Sequence, residues 1–441
     1  MYNLKPLISK PYMMIKELQI RPFARPLLVW IVGIVLQTVF SCCAYSWILL
    51  LFPVVVLAAS GSVGSGRVYF CYETRWLWGA VFLSLLLFLS IQKTACSQFE
   101  SVSEYEYPVS ALSRWAREEQ QRLLEPIAKL NLTDEEKTVL ATVTVGYRQA
   151  MNRDLRNRFS VAGVAHILAV SGFHVAIVCG FLSFLLSFLP RNGVGKWIRY
   201  LLTVVWLWAF VAVAGFAVSA VRAGLMLTLF LTGAALGRLT ERYNIWAASA
   251  FGMLVYEPLY LFDIGFQLSY LAVLSILYFQ PRLQRLLKIR NPFLLVPWRW
   301  ITVTLSAQVG TTFLCLYYFG QFSTVFLLTN LPLTLLATLL VPICLVWMLL
   351  PAGFPGTEWL QAVVEWLTHR LLWIVDSFSQ VPGAVFSFRF DFFTMSVAYG
   401  MLLSALLYGH TGRSRYLFVL LFLLLIMLLV RVIGNLKLCG I

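Results

Sequence analysis

The segment HILAVSGFHVAIVCGFLSFLLSFL, from His166 to Leu189, decides how the rest of the chain is interpreted. It is long and apolar enough to enter a bilayer, yet its first residues include Ser171, Gly172 and His174. Polar groups and a glycine break at membrane depth are costly unless they line a water-filled cavity or pack against protein. We therefore predict a membrane helix with a functional kink at Ser171-Gly172.

The composition of the whole chain is that of a membrane protein. Apolar residues make up 60% of its 441 residues and charged residues only 12%, with a mean hydropathy of +0.81. Soluble domains are about half apolar and about a quarter charged. Several apolar windows exceed the length that crosses a bilayer. The sequence therefore predicts an all-α, polytopic helical membrane protein.

Apolar segments alternate with basic loops along the chain. The net charge of +15 is spread over these loops, which indicates a topological signal. The basic N-terminal tail is predicted to be cytoplasmic, and three crossings then place residues 93–160 outside. The long first apolar run argues against a cleavable signal peptide. About eleven spans are expected, at 27–41, 45–60, 76–92, 161–189, 197–218, 220–237, 245–257, 262–280, 300–319, 392–409 and 416–433.

Other segments are not expected to be ordinary spans. Residues 113–130 form an amphipathic pattern, and Thr133 and Glu136 after them match a capping box. Residues 322–350 are apolar but broken by prolines, so the sequence leaves open whether they form a re-entrant pair of half-helices or a span. Residues 358–380 predict an amphipathic helix lying flat at the interface, because three tryptophans recur at seven-residue spacing. The prolines are Pro332 and Pro342, and the tryptophans are Trp359, Trp366 and Trp373.

The pattern of histidines and cysteines predicts neither a metal site nor a cofactor. His166 and His174 are eight residues apart, or about 80° on an ideal helix, and not at the i, i+4 spacing of a zinc helix. The ordinary alternative is that one histidine lies at the membrane interface and the other is packed in the protein and hydrogen-bonded. The eight cysteines include no CxxC pair.

Further polar residues lie within predicted spans. Arg222, shortly after Ser219, either faces the bundle interior or snorkels to the outer interface, and the sequence leaves both open. Gln267 and Ser269 follow Asp263 in FDIGFQLSY and are typical of hydrogen bonds between helices.

Aromatic residues precede Asn330 in YYFGQFSTVFLLTN, from Tyr317 onward. They fit an interfacial aromatic belt, and they equally fit a platform on which bases of a single strand stack. Spacing alone does not choose between these two interpretations.

Four strings in this order resemble the competence domain of the ComEC family. They are GVAHILAVSGFHVAIV, AGFAVSAVRAGLM, FDIGFQLSYLAVL and YYFGQFSTVFLLTNLP, and VGYRQAMNRDLRNRF precedes them. The resemblance covers about residues 133–350. It implies a channel in the bacterial inner membrane that carries single-stranded DNA inward during natural transformation. Gly146-Tyr147-Arg148 departs from the Gly-Asp-Arg that is usual in the family.

The resemblance also implies an organisation for the chain. Residues 1–92 would be the cytoplasmic tail and three spans, 93–160 a short extracytoplasmic helical segment, 161–350 the channel domain, and 351–441 the interfacial helix and two last spans. The 93–160 segment leaves no room for the OB-fold of many members, and no HxHxDH cluster of a metallo-β-lactamase-like domain is present. The expectation is the transmembrane channel alone, without catalytic residues.

Site roles follow from this interpretation. Arg222 is expected to contact phosphate, and four arginines before the first string are expected to form an outer funnel, with a solvated helix partly balanced by Asp154 as the alternative. The expected partners are single-stranded DNA, membrane lipid, a separate nuclease, an outer DNA receptor and a cytoplasmic helicase-like motor. The channel-lining candidates are His166, Ser171, Gly172, His174, Ser219, Arg222, Gln267, Ser269 and Asn330, and the funnel is Arg148, Arg153, Arg156 and Arg158.

Two other classes of function stay open at this point. A reduced paralogue could transport a small solute or a lipid precursor, since broken helices also occur in transporters. An intramembrane hydrolase could use Ser171 as nucleophile with His174 or His166 as base.

Overall fold

The computed structural model describes residues 21–62, 75–102, 111–168, 171–190, 192–238, 241–351 and 353–438. The N-terminal tail predicted to be cytoplasmic therefore lies outside the described residues up to residue 20. The described part is built of α-helices and two short strands, which confirms the all-α class. The helices are α1 Ala24–Phe40, α2 Ile48–Ser62, α3 Arg75–Val102, α4 Ala111–Ala128, α5 Asp134–Val145, α6 Arg153–Val161, α7 Gly172–Leu185, α8 Gly193–Val213, α9 Val218–Ala235, α10 Arg242–Tyr256, α11 Ile264–Gln284, α12 Pro292–Tyr318, α13 Phe326–Leu349, α14 Thr357–Ser379, α15 Phe392–Thr411 and α16 Ser414–Leu438.

Seven described helices are long and apolar enough to cross a membrane. They lie in α3, α8, α9, α11, α12, α13 and α15, and α1, the α7 region and α16 contribute three shorter apolar stretches. These helices are consistent with the predicted polytopic helical membrane protein, for which about eleven spans were expected. The predicted spans at 45–60 and 245–257 are helices of only 15 residues each, α2 and α10. About 20 residues are needed for a perpendicular crossing.

The Pro-broken segment forms one helix, which answers the question that the sequence left open between re-entrant half-helices and a continuous segment. α13 is continuous through Pro332 and Pro342 over 24 residues. A proline removes one backbone donor, but packing against neighbouring side chains holds such helices together. Its length and composition make α13 a candidate span.

The predicted span 161–189 is interrupted much more strongly than by a kink. α6 ends at Val161, a single 3₁₀ turn covers Ala165–Ile167, and the apolar helix α7 begins only at Gly172. Gly163 stands in this connection with a φ of +77°, a conformation that favours glycine. His166 and His174 are therefore not on one helix, and their predicted angular relation was wrong.

The chain divides into two compact units, of which the first comprises Met1–Met151, His166–Leu277 and Leu336–His369. One of its cores joins α1, α3, α10 and α11. The indole of Trp30 donates to the carbonyl of Leu254 at 3.0 Å, and Ser90 donates to the carbonyl of Trp30 at 2.7 Å. Elsewhere in this unit α7, α8 and α9 pack against each other. The core is formed by Leu27, Trp30, Ile34, Leu86, Ala247, Ala250, Met253, Leu254, Phe266 and Tyr270.

The second unit comprises Asn152–Ala165, Tyr278–Leu335 and Arg370–Ile441. It contains the only strands among the described residues, β1 Gln321–Ser323 and β2 Val385–Ser387, which pair antiparallel with Phe322 opposite Phe386. β1 follows α12 directly, and β2 precedes α15. No strand was predicted from the sequence. α15 packs against both α12 and α16.

Two local predictions outside the spans are confirmed. Thr133 and Glu136 form the capping box at the start of α5, with the Thr133 N–H donating to the Glu136 carboxylate at 2.9 Å. The helix predicted at 358–380 is α14, and its three tryptophans are each more than half exposed, as expected for side chains on one outward face.

Candidate functional site

The start of α7 is organised by Ser171 and His174. Ser171 is the N-cap residue, and its backbone N–H donates to Nδ1 of His174 at 3.2 Å. The Ser171 hydroxyl also lies 3.0 Å from this nitrogen. The His174 side chain is fully buried, and its other nitrogen, Nε2, has no hydrogen-bond partner in the described structure. The imidazole thus takes the place that Glu or Gln has in an ordinary capping box.

Gly172 brings this helix start against the helix of the second string. A Cβ on Gly172 would lie 3.4 Å from the Cβ of Ala223 on α9, which is ordinary van der Waals contact. The turn before α9 contains Gly215 at φ +70° and Phe216 at φ +49°. A positive φ at a bulky residue costs on the order of 1–3 kcal/mol and persists only where the surroundings impose it. The first two strings therefore meet next to Arg222.

Arg222 lies inside the bundle. Its side chain is 4% exposed, which excludes the snorkelling interpretation. Nη1 lies 3.8 Å from Oδ1 of Asp263, within ion-pair range but beyond a hydrogen bond. Nε and Nη1 are buried and have no hydrogen-bond partner among the described residues. The guanidinium thus has a nearby countercharge and unused donors.

Asp263 serves two groups at once. Its Oδ1 accepts the backbone N–H of Phe266 at 2.7 Å, which caps α11, and the same oxygen faces Arg222. A Cβ on Gly265 would lie 3.6 Å from Nη2 of Arg222, so the guanidinium reaches close to the backbone of α11. Gln267 donates to the carbonyl of Leu261 at 2.9 Å and closes the turn before the helix. The second and third strings therefore meet at the guanidinium.

The structure places the other channel-lining candidates as follows. His166 is exposed on the 3₁₀ turn, and Ser219 and Ser269 are half-buried in the first unit. Asn330 lies in the second unit, where its amide donates to Thr304 at 3.2 Å. The structure thus brings together Ser171, Gly172 and His174 at one helix start, and joins it to the Arg222 helix through Gly172. Asp263, absent from the predicted site, completes the arrangement.

The four funnel arginines have different surroundings. Arg148, Arg153 and Arg156 are exposed. Arg158 instead forms ion pairs with Asp376 at 2.8 Å and with Asp154 at 3.2 Å. Asp154 therefore balances part of this charge, as the alternative interpretation expected, and Arg158 ties α6 to α14.

A second polar group joins α5 to α14 within the first unit. Nδ1 of His369 lies 2.8 Å from Oε1 of Glu136, and Glu365 accepts the backbone N–H of Asn131 at 3.0 Å. Burial alone would raise the pKa of Glu136, but hydrogen bonds with Thr133 and His369 outweigh it and hold this pKa below its ordinary value. Within the described residues, no group of three or more His, Cys, Asp and Glu side chains is placed to hold a metal ion.

Comparisons with known proteins give one family and one relative. The family described as Competence protein matches residues 143–413, which extends past residue 350 to include α14, β2 and α15. ComE operon protein 3 of Bacillus subtilis (strain 168) is 25% identical over 252 residues, or 54% of this chain and 30% of that protein. The chain thus spans less than a third of this curated relative. No solved structure matches.

Proposed function

This chain belongs to the Competence protein family, and on that premise we propose that its helical body passes single-stranded DNA inward through the bacterial inner membrane. A channel for a polyanion needs positive charge where water cannot supply solvation, together with surfaces that tolerate every base. The membrane-spanning helices form the body of the proposed channel. Arg222, around which three of the family strings meet, provides the positive charge.

The single observation that carries the proposal is the state of the Arg222 guanidinium. It is 4% exposed, and its Nε and Nη1 have no hydrogen-bond partner among the described residues. An unpaired donor in a dry interior is unfavourable, so such a group usually meets a ligand or water. A phosphate oxygen accepts from a guanidinium in bidentate geometry. Asp263, at 3.8 Å, balances the charge without occupying these donors.

The proposed channel acts with partners and is not itself an enzyme. The sequence contains no GxxxxGK[ST] phosphate-binding loop, so a cytoplasmic helicase-like motor would draw the strand inward. A separate nuclease and an outer DNA receptor would prepare and deliver it. These partners follow from the proposed passage of a single strand.

The test is uptake of labelled DNA into the cytosol of cells that carry Arg222→Ala, Arg222→Lys or the control Arg238→Ala. Arg238 is an exposed arginine just beyond the other end of α9. At equal protein level, Arg222→Ala should abolish uptake but leave surface capture of DNA intact, and Arg238→Ala should transport normally. Arg222→Lys should rescue poorly, because an ammonium lacks the planar fork. Normal uptake in Arg222→Ala removes this residue from the mechanism.

A second candidate function rests on the Ser171–His174 pair. A distance of 3.0 Å between Oγ and Nδ1 is that of a serine hydrolase nucleophile and its base. However, Nδ1 already accepts the Ser171 backbone N–H, and the described residues offer no carboxylate to Nε2. The geometry therefore favours a cap. Labelling of Ser171 by a fluorophosphonate, absent in Ser171→Ala, would support hydrolysis instead.

A further inference from the structure

A row of phenylalanines begins in the second strand and continues beyond it in the segment VFSFRFDFF, residues 385–393. In an extended chain, alternate residues share one face and repeat about every 6.7 Å. Ring centroids lie 6.3 Å apart for Phe386–Phe388 and 5.5 Å apart for Phe388–Phe390. Phe392, the first residue of α15, comes two positions after Phe390, and its ring centroid lies 6.4 Å from that of Tyr317. We call these five residues the aromatic ribbon; all of them belong to the second unit.

The aromatic ribbon is fixed to the end of α12 by backbone hydrogen bonds. The N–H of Phe388 donates to the carbonyl of Gly320 at 2.9 Å, and the N–H of Phe390 donates to the carbonyl of Leu316 at 3.2 Å. The side chain of Arg389 packs over Gly320, where φ is +64°. The rings are thus presented by a rigid backbone and lose little entropy when a ligand binds.

β2 carries Phe386 at one end of the ribbon, and the pair of β2 with β1 is disfavoured in lipid. β1 and β2 pair only with each other within the described chain, so their outer edges leave backbone N–H and C=O groups unpaired. Such edges require water or protein, because lipid offers no hydrogen bonds. Yet Phe386 is 60% exposed and Phe392 is 67% exposed. Exposed phenyl rings at both ends of the row, with Phe388 and Phe390 half-buried between them, indicate an interaction surface, whereas interfacial belts are built of Trp and Tyr.

Positive charge accompanies these rings. Arg389 is exposed and has no carboxylate partner among the described residues. The neighbouring Asp391 is the N-cap residue of α15, and its carboxylate accepts the backbone N–H of Thr394. This carboxylate is therefore engaged in capping the helix. α6 joins the same unit at β1, where Ser323 donates to the carbonyl of Val161 at 2.8 Å.

The exposed arginines of α6 are within reach of this junction. They precede Val161 by five and eight residues, or about 7.5 and 12 Å along the helix. They are Arg156 and Arg153.

We propose that the aromatic ribbon binds single-stranded DNA by stacking its bases on the phenyl rings, while Arg389 holds a backbone phosphate. The proposal rests on the proposed function and names the surface in the second unit where the strand is held. A single strand presents flat apolar bases and regularly spaced negative charge, which matches a row of rings with an arginine beside it. An open cleft of about 530 Å³ lies between Tyr317, Tyr318 and the 389–392 segment and gives space for a stacked base.

The experiment uses the full chain in lipid nanodiscs and a fluorescent oligothymidylate of about 20 nucleotides, longer than one single-strand binding site. A base-free deoxyribose-phosphate oligomer of equal length measures phosphate binding alone. The variants are Phe386→Ala with Phe392→Ala, and Arg389→Ala. The control is Phe293→Ala, an 86% exposed phenylalanine at the start of α12 in the same unit. Fluorescence anisotropy gives the affinity, and melting temperature confirms folding.

We expect the double phenylalanine variant to lose at least about ten-fold affinity for oligothymidylate, since each stacked base contributes about that factor. Its affinity for the base-free oligomer should be unchanged. Arg389→Ala should weaken both ligands and reduce the salt dependence, and Phe293→Ala should weaken neither.

Unchanged oligothymidylate affinity in the double variant overturns the ribbon proposal. Equal loss for both oligomers also overturns it, because stacking would not be involved. This result is separate from the test of Arg222. If Arg222→Ala abolishes uptake while the ribbon variants bind normally, only the ribbon proposal fails. If the wild-type chain binds neither oligomer, both proposals fail.

Discussion

The guanidinium of Arg222 and the carboxylate of Asp263 form an ion pair whose two members differ in exposure. The arginine side chain is 4% exposed and the aspartate side chain 48%, with 3.8 Å between Nη1 and Oδ1. The buried guanidinium cannot reach solvent. The Asp263 carboxylate is partly exposed and also accepts a backbone N–H at the start of α11. Such a pair holds a positive charge inside a bundle, and the unpaired N–H groups of the arginine can still donate to another acceptor.

Replacing Asp263 by asparagine should separate the two roles of this residue. Asparagine is as good an N-cap as aspartate. The free energy of unfolding should therefore fall by less than about 1 kcal/mol, which is measured as a small decrease in melting temperature. The charge opposite Arg222 is removed, so a phosphate-mimicking anion or an oligonucleotide should bind about 3 to 10 times more tightly by anisotropy. In the Arg222→Lys background this gain should shrink, because the ammonium lacks the fork. Weaker binding in Asp263→Asn would mean that the carboxylate helps to form the site.

The Glu136–His369 contact should make stability depend on acid pH. Hydrogen bonds hold the folded pKa of Glu136 below its ordinary value of 4.5. The stabilisation is therefore complete above about pH 4.5 and is lost as pH falls through the lower, folded pKa. Melting curves from pH 7 to pH 3 should show this loss. In Glu136→Gln this loss should be absent, with a lower stability at pH 7 of about 1–2 kcal/mol.

Asp134→Asn is the matched control for that experiment. Asp134 begins the same helix, and its side chain is exposed. Its variant should keep the wild-type slope between pH 4.5 and pH 3. If Glu136→Gln also keeps that slope, another carboxylate is responsible.

Gly163→Ala should destabilise the second unit strongly. The residue has φ +77°, and a Cβ would lie 2.7 Å from the Cβ of Phe326 and from Oγ of Ser323. Strain and overlap together should cost about 2–4 kcal/mol, measured as a fall in melting temperature in detergent.

Two other glycines separate the causes of this loss. Gly193 has φ +59° with open space, so Gly193→Ala should cost only about 1 kcal/mol. Gly180 lies inside α7 with nothing close to its Cβ position, so Gly180→Ala should be neutral or stabilising by up to about 1 kcal/mol. Equal losses of stability in Gly163→Ala and Gly193→Ala would show that the contact with β1 does not contribute to the destabilisation.

The predicted topology can be tested by single cysteines in a cysteine-free background. Glu118 on α4 and Lys288 between α11 and α12 are both exposed. An impermeant maleimide added to intact spheroplasts should label Glu118→Cys and not Lys288→Cys, because basic loops stay inside. Labelling at Lys288→Cys alone would invert the arrangement.

Local chemistry in the sequence predicted several parts of the site. The capping box of Thr133 and Glu136 follows from side chains that satisfy nearby backbone N–H groups, and the structure confirms it. Asp263 stands at the start of the third string, FDIGFQLSY, and the structure pairs its carboxylate with Arg222.

The aromatic ribbon was missed although its signal was present. Phenylalanine at positions 386, 388, 390 and 392 is a period of two, which predicts a strand. The strand that forms covers only Val385–Ser387, where the segment 321–323 lies opposite it, more than 60 residues away in the chain. Sequence periodicity cannot specify a partner at that distance.

The sequence by itself determined that this protein is a helical membrane protein with polar strings in its spans, because hydropathy and charge act residue by residue. Only the tertiary structure decided that α7 starts at Gly172, that α13 is continuous through two prolines, and that the Arg222 donors are unpaired. Each of these depends on which neighbour supplies or withholds a hydrogen bond at a given atom. In a low-dielectric interior, the free energy of a buried polar group depends on whether it has a hydrogen-bond partner. That partner comes from residues distant in the chain.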